Sequence, residues 1–301
     1  VAAPVDVQEM TSEAALTHYV NKMAEIGARQ PKWLHDVFRV GFSDWNERAL
    51  GSVTRLELLE RIATIRNDPK RGPGAARTSQ KAIKALYSYV VGELQVEVPN
   101  PTAGMKLTRQ EPRQRALDAD ERKAFIKAID APGELPHIPV FFRLLLLTGC
   151  RRNNLETAEW SEFDLAARTW TIPAHKFKTN KQKVFPLRAD AVELLKKWKA
   201  RKGAHPRWVF ESPVIPDTHL GDTWLQWRRV ATAAGFEFEG PKRTTPHDLR
   251  RSFARILLDN GVNITEVSKA LGHGNVATTV AAYAPPNSKL VASELDRVSG
   301  W

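Results

Sequence analysis

The sequence contains a single cysteine, Cys150, so it excludes an intramolecular disulfide framework and a cysteine-based metal site. Long apolar runs are also missing. The longest, VFFRLLLL at 140–147, is interrupted by Arg143, whereas a membrane-spanning helix needs roughly 20 apolar residues. The first residues, VAAPVDVQEMTSEAAL, lack the basic start and the long apolar core of a secretory signal. These absences argue against a membrane protein and favour a reducing, cytoplasmic compartment.

Acidic residues are too few to balance the basic ones. Asp and Glu number 34 against 45 Lys and Arg, which gives a net charge of +11 and a pI of about 9.8. Up to residue 110 the basic residues number 15 against 12 acidic ones, and beyond it 30 against 22. Such an imbalance favours a polyanionic partner such as nucleic acid, or less often an anionic membrane face, and it lies mostly in the C-terminal part.

Proline-rich stretches divide the chain into two parts. Residues 12–95 have apolar positions at three- and four-residue spacing and no strand pattern, which predicts helices, with NDPKRGPGAAR as a loop between them. The segment VPNPTAGMKLTRQEPRQRALD has prolines at 99, 101 and 112 and predicts a break between domains. We therefore expect a helical domain at 1–98, a linker at 99–117 and a second domain at 118–301.

The second part mixes helices with a few short strands. ALDADERKAFIKAID begins with a capping Asp, PVFFRLLLLTGC is apolar enough for a buried helix, and ADAVELLKKWKARKG and TPHDLRRSFARILLDNG also predict helices. RTWTIP and KVFPL predict two strands joined by the lysine-rich turn HKFKTNKQ, and WVFES predicts a further short strand or an extended segment. The expected fold class is mainly α with a small β-hairpin in the C-terminal domain (α+β).

Tyrosine is scarce as well: there are 4, and Tyr283 is the only one beyond Tyr89. It ends the stretch PHDLRRSFARILLDNGVNITEVSKALGHGNVATTVAAY. In this stretch His247 and Arg250 are three residues apart near a helix N-terminus, an arrangement that suits a phosphate. Taken alone, the pair is better explained by a capping histidine and a surface arginine, and Arg151 in TGCRRNNLE is explained equally well as an ordinary surface residue.

The order of the motifs is more specific than any one of them. TGCRRNNLETAEWSEFDL, KFKTNKQKVFPL, HDLRRSF and ALGHGNVATTVAAY follow one another along the chain. Together they resemble the tyrosine recombinase or phage integrase family, and the resemblance extends over about 118–290. The helical first part is similar to the core-binding domain of prophage-type integrases. The resemblance implies a two-domain clamp around DNA.

The resemblance also implies six catalytic residues: Arg151, Lys178, His247, Arg250, His273 and Tyr283. The two arginines would hold the scissile phosphate, Tyr283 would attack it and Lys178 would protonate the leaving 5′ oxygen. The two histidines would hydrogen-bond the phosphate or shuttle protons. Two guanidiniums and a lysine can take the place of a metal ion. The phosphotyrosyl bond would keep the energy of the phosphodiester, so no ATP is needed and no cofactor is expected.

Two positions depart from the common pattern of the family. Asn154 occupies a place usually taken by Glu, and the spacing from His273 to Tyr283 is one residue longer than the most frequent one. Basic residues outside the catalytic set are candidates for DNA contacts because positive side chains steer phosphates. These candidates are Lys70, Arg71, Lys176, Lys181, Lys183 and Arg251.

The function that the resemblance implies is site-specific DNA recombination that integrates or excises a mobile element through a 3′-phosphotyrosyl intermediate. The expected partner is double-stranded DNA, bound by a homotetramer on two duplexes that is monomeric when free, with an accessory DNA-bending protein as a further partner. The expected location is the nucleoid of a bacterial or phage-infected cell. Two alternatives stay open: a type IB topoisomerase, which shares the chemistry, and a DNA-binding regulator without catalysis.

The two ends of the chain carry further expectations. The sequence begins at VAAPVDV without Met, and no arm-binding domain precedes the helical part. It is therefore expected to be either a fragment or a family member without that domain. The tail PPNSKLVASELDRVSGW is expected to form a helix that docks on a neighbouring protomer or packs on its own chain.

Overall fold

The computed structural model describes residues 10–28, 32–109, 113–131, 133–177, 181–240, 242–272 and 274–283. The predicted site residues Lys178 and His273, and the tail beyond Tyr283, lie outside the described residues. The chain divides into two compact units, Val1–Glu111 and Pro112–Trp301, and the division falls inside the predicted linker.

The described part of the first unit is helical. Its α-helices are α1 (Ser12–Glu25), α2 (Trp33–Gly41), α3 (Arg55–Asn67) and α4 (Gly72–Gly92). Helix α3 begins where a capping box predicts it, since Thr54 and Glu57 satisfy each other's backbone N–H groups. Buried side chains from all four helices, such as Leu16, Phe38 and Tyr87, form one core.

The loop predicted over NDPKRGPGAAR is mostly wrong. Helix α4 begins at Gly72, so only 68–71 form a turn and the glycines that follow lie in the first helical turns. Pro73 explains the difference, because proline at the start of a helix has a suitable φ and its missing N–H would have had no helical partner.

Residues 100–108, the first half of the predicted linker, are attached to the first unit. The Arg55 guanidinium donates to the carbonyl oxygens of Pro101 and Ala103 at 3.2 and 2.5 Å. Arg77 donates to the carbonyl oxygen of Thr108 at 2.6 Å. These side-chain bonds fix an irregular segment whose own backbone forms no helix or strand.

The second unit combines helices with a three-stranded antiparallel sheet in the order β1-β2-β3. Its helices are α5 (Ala119–Ile129), α6 (His137–Thr148), α7 (Arg152–Glu156), α8 (Ala189–Lys199), α9 (Trp224–Ala233), α10 (Pro246–Asp259), α11 (Ile264–Ala270) and α12 (Val276–Tyr283). Its strands are β1 (Phe163–Asp164), β2 (Thr169–Ile172) and β3 (Lys183–Pro186). The predicted fold class, mainly α with a small sheet, is confirmed.

Two details of the predicted sheet differ from the structure. The two-residue strand β1 pairs with β2 and makes the hairpin a three-stranded sheet. WVFES forms no strand: Trp208 and Glu211 make only isolated bridges, to Glu159 and His219. This apolar segment forms no regular ladder of hydrogen bonds. Its Val209 and Phe210 side chains are nevertheless buried in an apolar cluster of this unit.

The larger of two apolar clusters in the described part of this unit joins the sheet to the helices. Trp170 of β2 and Phe185 of β3 face each other in register and are buried with Trp227 of α9. The tryptophans predicted to be core residues include Trp160 and Trp170, and both are buried. None of the helices in the described parts of the chain is long and apolar enough to cross a membrane.

Candidate active site

Arg250 is the central residue of the site. It lies in the second turn of α10 and its side chain is almost completely buried, with 2% of the residue exposed. Its Nη1 donates to the carbonyl oxygen of Gly149 and its Nη2 to that of Leu271, both at 2.7 Å. These carbonyls end α6 and α11, where the helix dipole favours a cation. Nε is buried and has no hydrogen-bond partner among the described residues, so the guanidinium keeps a free donor.

The surroundings of Arg250 lower its pKa without neutralising it. Burial is the main cause and the Arg151 charge the next; they outweigh Tyr283 and Cys150, which raise the pKa, and lower the Arg250 pKa to about 10. A guanidinium with that pKa is still charged at pH 7. The buried thiol of Cys150 lies nearby, and burial raises its pKa to about 11, so it is an unreactive core residue as predicted.

Tyr283 lies at the end of α12, in the same unit as the arginines. Only 8% of the residue is exposed, and it packs with Ala254, Val267 and Leu271. Burial raises the pKa of the phenol. Arg250 opposes this by its charge and by hydrogen bonding, and Arg251 and Arg151 oppose it by charge. The phenol is therefore protonated at neutral pH, and its hydroxyl faces positive side chains.

Arg151 and Lys183 share one aromatic ring. The Arg151 Cζ lies 5.9 Å from the centroid of the Phe177 ring, and the Lys183 Nζ lies 5.7 Å from the same centroid. Among the described residues no carboxylate comes within 4.0 Å of the charged groups of Arg151, Arg250 or Lys183. Three cations without a carboxylate partner in the described part of the chain give this region a positive potential that attracts anions.

His247 precedes Arg250 by one turn. Its pKa is lowered to about 4. Loss of hydration on the packed side of the ring is the largest cause, followed by the charges of Arg251 and Arg250. The imidazole is neutral at pH 7 and is able to accept a proton.

The Phage integrase family matches residues 115–289, more than half of the chain and nearly all of the second unit. The chain belongs to this family. Tyrosine recombinase XerC of Xylella fastidiosa (strain M23) is 28% identical over 240 residues, which cover 77% of this chain and 78% of XerC. The prediction of a tyrosine recombinase, an enzyme of site-specific DNA recombination, is confirmed.

Two solved integrase structures share the fold. The Tn1549 transposon integrase in complex with a circular intermediate DNA matches with a TM-score of 0.71 and 18% identity, over 94% of this chain and 99% of that one. The lambda integrase tetramer bound to a Holliday junction matches with a TM-score of 0.70 and 19% identity, over 90% of this chain and 77% of that one. At this identity the likeness extends to the fold, and it agrees with the predicted two-domain architecture.

Gly149 explains the TG that precedes the first arginine of the family pattern. It caps α6 with a left-handed φ of 59°. A Cβ at this position would lie 2.3 Å from Cδ1 of Phe253. The residue at this turn must therefore be glycine, both for its backbone conformation and for the lack of space. The same residue carries the carbonyl oxygen that Arg250 binds.

A Gly149→Ala substitution is expected to destabilise the recombinase more than a left-handed glycine usually does. The conformation costs about 1–2 kcal/mol and overpacking adds about 1–3 kcal/mol. Gly235→Ala is the matched control, since Gly235 has a φ of 75° and open space around a Cβ. Urea unfolding followed by circular dichroism measures both. Equal losses in the two variants would show that Phe253 moves aside freely.

Lys176, predicted as a DNA contact, is instead held within the protein. Its ammonium donates to the Glu162 carboxylate and, at 2.6 Å, to the carbonyl oxygen of Thr157. Its side chain is 11% exposed and that of Glu162 4%. Glu162 also accepts from Nε1 of Trp170 at 2.9 Å. This buried cluster anchors the end of β2 just before the lysine-rich turn, so we leave Lys176 out of the proposed DNA contacts.

Lys176→Met is expected to lower the free energy of unfolding by about 3–5 kcal/mol, because it leaves the Glu162 carboxylate buried without its cation. A Lys176→Met/Glu162→Gln double variant should lose less, since no unpaired charge is then buried. Lys181→Met, at an exposed position, should stay within about 0.5 kcal/mol of the unaltered protein. Chemical denaturation measures the free energy of unfolding of each variant. If Lys176→Met lost as little stability as Lys181→Met, the result would contradict the buried-pair assignment.

The other predicted DNA contacts lie in different settings. Lys70 and Lys181 are exposed, and Lys183 lies in the cation cluster. Arg71 pairs with Asp68 at 3.4 Å. Arg251 donates to Asp248 at 2.5 Å and its side chain is 16% exposed. Lys70 and Arg71 belong to the first unit and form no part of the site in the second.

Sequence reasoning missed Asp248, a buried carboxylate at the start of α10. It accepts from the Thr245 backbone N–H at 2.7 Å and from the Thr245 hydroxyl at 3.0 Å, and it also binds Arg251 and Arg113. The spacing of Thr245 and Asp248 in TTPHD is a capping-box signal that could have revealed it.

Asn154 is buried and its Nδ2 has no partner among the described residues.

Proposed function

We propose that Tyr283 is the nucleophile of this recombinase. Its Oη forms a bond to the phosphorus of one DNA strand while the bond from phosphorus to the 5′ oxygen breaks, and the 5′ oxygen takes up a proton. A 5′ hydroxyl of another strand then attacks the same phosphorus and restores the phenol. The phosphotyrosyl bond keeps the free energy of the phosphodiester, so strand exchange needs no ATP. The single observation that supports this most is the proximity of the Tyr283 phenol to the buried Arg250 within one unit.

Arg250 and Arg151 are proposed to hold the non-bridging oxygens of the scissile phosphate. The guanidinium donors stabilise the extra negative charge of a pentacoordinate transition state. The support is electrostatic, since neither arginine has a carboxylate partner among the described residues, and the orphan Nε–H of Arg250 is a buried donor that needs an acceptor. A bound phosphate would supply it.

The phenol proton of Tyr283 must leave during the attack. The raised pKa of the phenol keeps this proton in place at neutral pH, and the positive charges of nearby arginines make the loss of the proton easier. His247 is proposed to accept a proton or to hydrogen-bond the phosphate, since its pKa of about 4 makes it neutral. An anionic phosphate among the arginines would raise that pKa and strengthen the base. His273 is proposed to share this task.

Lys178 is proposed to protonate the leaving 5′ oxygen. The described residues on either side of its turn support this. Phe177 contacts Arg151, and Lys183 contacts Gly272, one residue before His273. Both ends of the turn are therefore held at the cation cluster.

The proposed partner is duplex DNA at paired recombination sites, bound by a tetramer that forms from free monomers, with integration or excision of a mobile element as the outcome. The excess of basic residues supports DNA as the partner. The lambda integrase tetramer on a Holliday junction and the Tn1549 transposon integrase on circular intermediate DNA support the assembly and the type of substrate. An accessory bending protein and a location at the nucleoid belong to the same proposal.

Suicide duplexes test the proposed chemistry. A panel built from the DNA that flanks the native gene, each with a nick beside the cleavage position, is incubated with the protein without metal or ATP. The short fragment that bears the new 5′ hydroxyl diffuses away after cleavage, so a covalent adduct accumulates on a denaturing gel. Formation of an adduct that joins a second labelled duplex supports recombination. Tight, salt-sensitive binding without any adduct would favour a non-catalytic regulator, and relaxation of plasmids without paired sites would favour a topoisomerase.

A further inference from the structure

Lys183 is the first residue of β3, and its ammonium reaches the end of another element. Its Nζ donates to the carbonyl oxygen of Gly272 at 2.5 Å, directly after α11. Arg250 binds the preceding carbonyl, that of Leu271. Two consecutive carbonyls at the C-terminal end of one helix are thus held by two cations, one from the sheet and one from α10. Cations at this end of a helix are favoured by its dipole.

The turn at Gly272 also lies directly on β3. Gly272 has a left-handed φ of 63°. A Cβ added there would lie 2.6 Å from Cζ of Phe185 and 3.2 Å from Cδ of Lys183. Side chains of β3 therefore occupy the space beside the turn. The hydrogen bond from Lys183 to the Gly272 carbonyl oxygen further restrains this closely packed contact.

Lys183 faces the cation cluster rather than open solvent. Its ammonium lies 5.7 Å from the Phe177 ring centroid, and that ring also carries Arg151. Burial, followed by the charges of Arg151 and Arg250, lowers its pKa. A lysine that only steered DNA would gain nothing from a backbone carbonyl as partner, because the bond ties its ammonium to the protein.

We propose that Lys183 is a positioning residue for DNA cleavage: it fastens the Leu271–Gly272 turn to β3 and thereby holds the carbonyl that orients Arg250. This inference rests on the proposed function of the site. Lys183 acts through the turn and does not donate a proton to the leaving oxygen.

Lys183→Met is expected to slow single-turnover cleavage of a suicide duplex by about 10- to 100-fold, the loss typical of a misplaced catalytic group. Affinity for the duplex should change less than about threefold, because in this proposal the Lys183 ammonium bonds the Gly272 carbonyl oxygen rather than a phosphate. Lys183→Arg keeps a charged donor and should recover most of the rate. Gly272→Ala breaks the same contact from the opposite side and should slow cleavage in the same way. Lys123→Met, at an exposed position on α5, controls for the loss of one positive charge.

A duplex with sulfur in place of the bridging 5′ oxygen separates positioning from acid catalysis. A thiolate leaves without protonation, so this substrate should rescue Lys178→Met, the proposed general acid, and leave Lys183→Met slow. Rescue of Lys183→Met by sulfur would overturn the proposal, as would an unchanged cleavage rate or a loss confined to affinity. Absence of an adduct with the unaltered protein would instead overturn the proposed function, and the inference with it.

Discussion

Tyr283→Phe will abolish the covalent DNA adduct and leave DNA binding intact. The change removes only the hydroxyl that is proposed to attack phosphorus, and no other tyrosine lies beyond Tyr89 to replace it. The ring keeps its packing against Ala254, Val267 and Leu271, so the fold should be retained. We expect cleavage to fall by more than about 10³-fold in single turnover. Denaturing gels measure the adduct, and fluorescence anisotropy measures binding to the same duplex.

Tyr87→Phe is the matched control for this substitution. Tyr87 is buried in the first unit, and its hydroxyl donates to the carbonyl oxygen of Leu50 at 2.8 Å. Removal of that hydroxyl should reduce stability by about 1 kcal/mol without loss of the adduct. An adduct that persists in Tyr283→Phe would show that another side chain is the nucleophile, and the site assignment would have to be abandoned.

Arg250→Lys should be the second most damaging substitution. Lysine retains the charge but not the planar fork, so it cannot bind two backbone carbonyls and a phosphate together. Loss of preorganised donors to a transition-state oxygen typically lowers the rate by about 10²- to 10³-fold. Stability should also fall, by about 1–3 kcal/mol, because a buried carbonyl of Gly149 or Leu271 loses its donor.

Arg255→Lys on the same helix separates these effects from a general intolerance of lysine. Arg255 is partly exposed and pairs with Asp259 at 2.8 Å, a contact that lysine can keep. We expect its cleavage rate to stay within about twofold of the unaltered enzyme. The two variants are compared well below their unfolding temperatures, so that unfolded protein does not contribute. If Arg250→Lys cleaved as fast as Arg255→Lys, Arg250 would have no part in holding the phosphate.

Helices with strong local signals could be predicted from the sequence. Helix α5 begins at a capping box of Asp118 and Glu121, and the sequence shows both residues. Helix α9 was missed, and its N-cap residue Thr223 makes no side-chain hydrogen bond to the first turn. Strand β1 was missed because two residues make no period, and only pairing with β2 reveals it.

The sequence indicates the side chains of the proposed site but not their backbone partners. The motif order brought together Arg151, His247, Arg250 and Tyr283, and burial and charge coupling in one unit agree with that set. The carbonyl of Gly149 lies 101 residues from Arg250 along the chain, and a backbone oxygen has no sequence signature. The pairing of Lys176 with Glu162 likewise depends on how β2 follows β1, which periodicity does not determine.

The two carbonyl bonds of Arg250 have a consequence for the thermodynamics of DNA binding. A free arginine side chain loses about 2 kcal/mol of rotamer entropy when it is fixed, and this loss usually opposes association. Here the side chain is already immobile when the protein has folded, because both Nη groups are bound. If Arg250 holds the scissile phosphate as proposed, recognition requires no ordering of this side chain. Binding at this position should be driven by the release of water and counter-ions. The NMR order parameter of the Arg250 side chain should be the same before and after DNA is added.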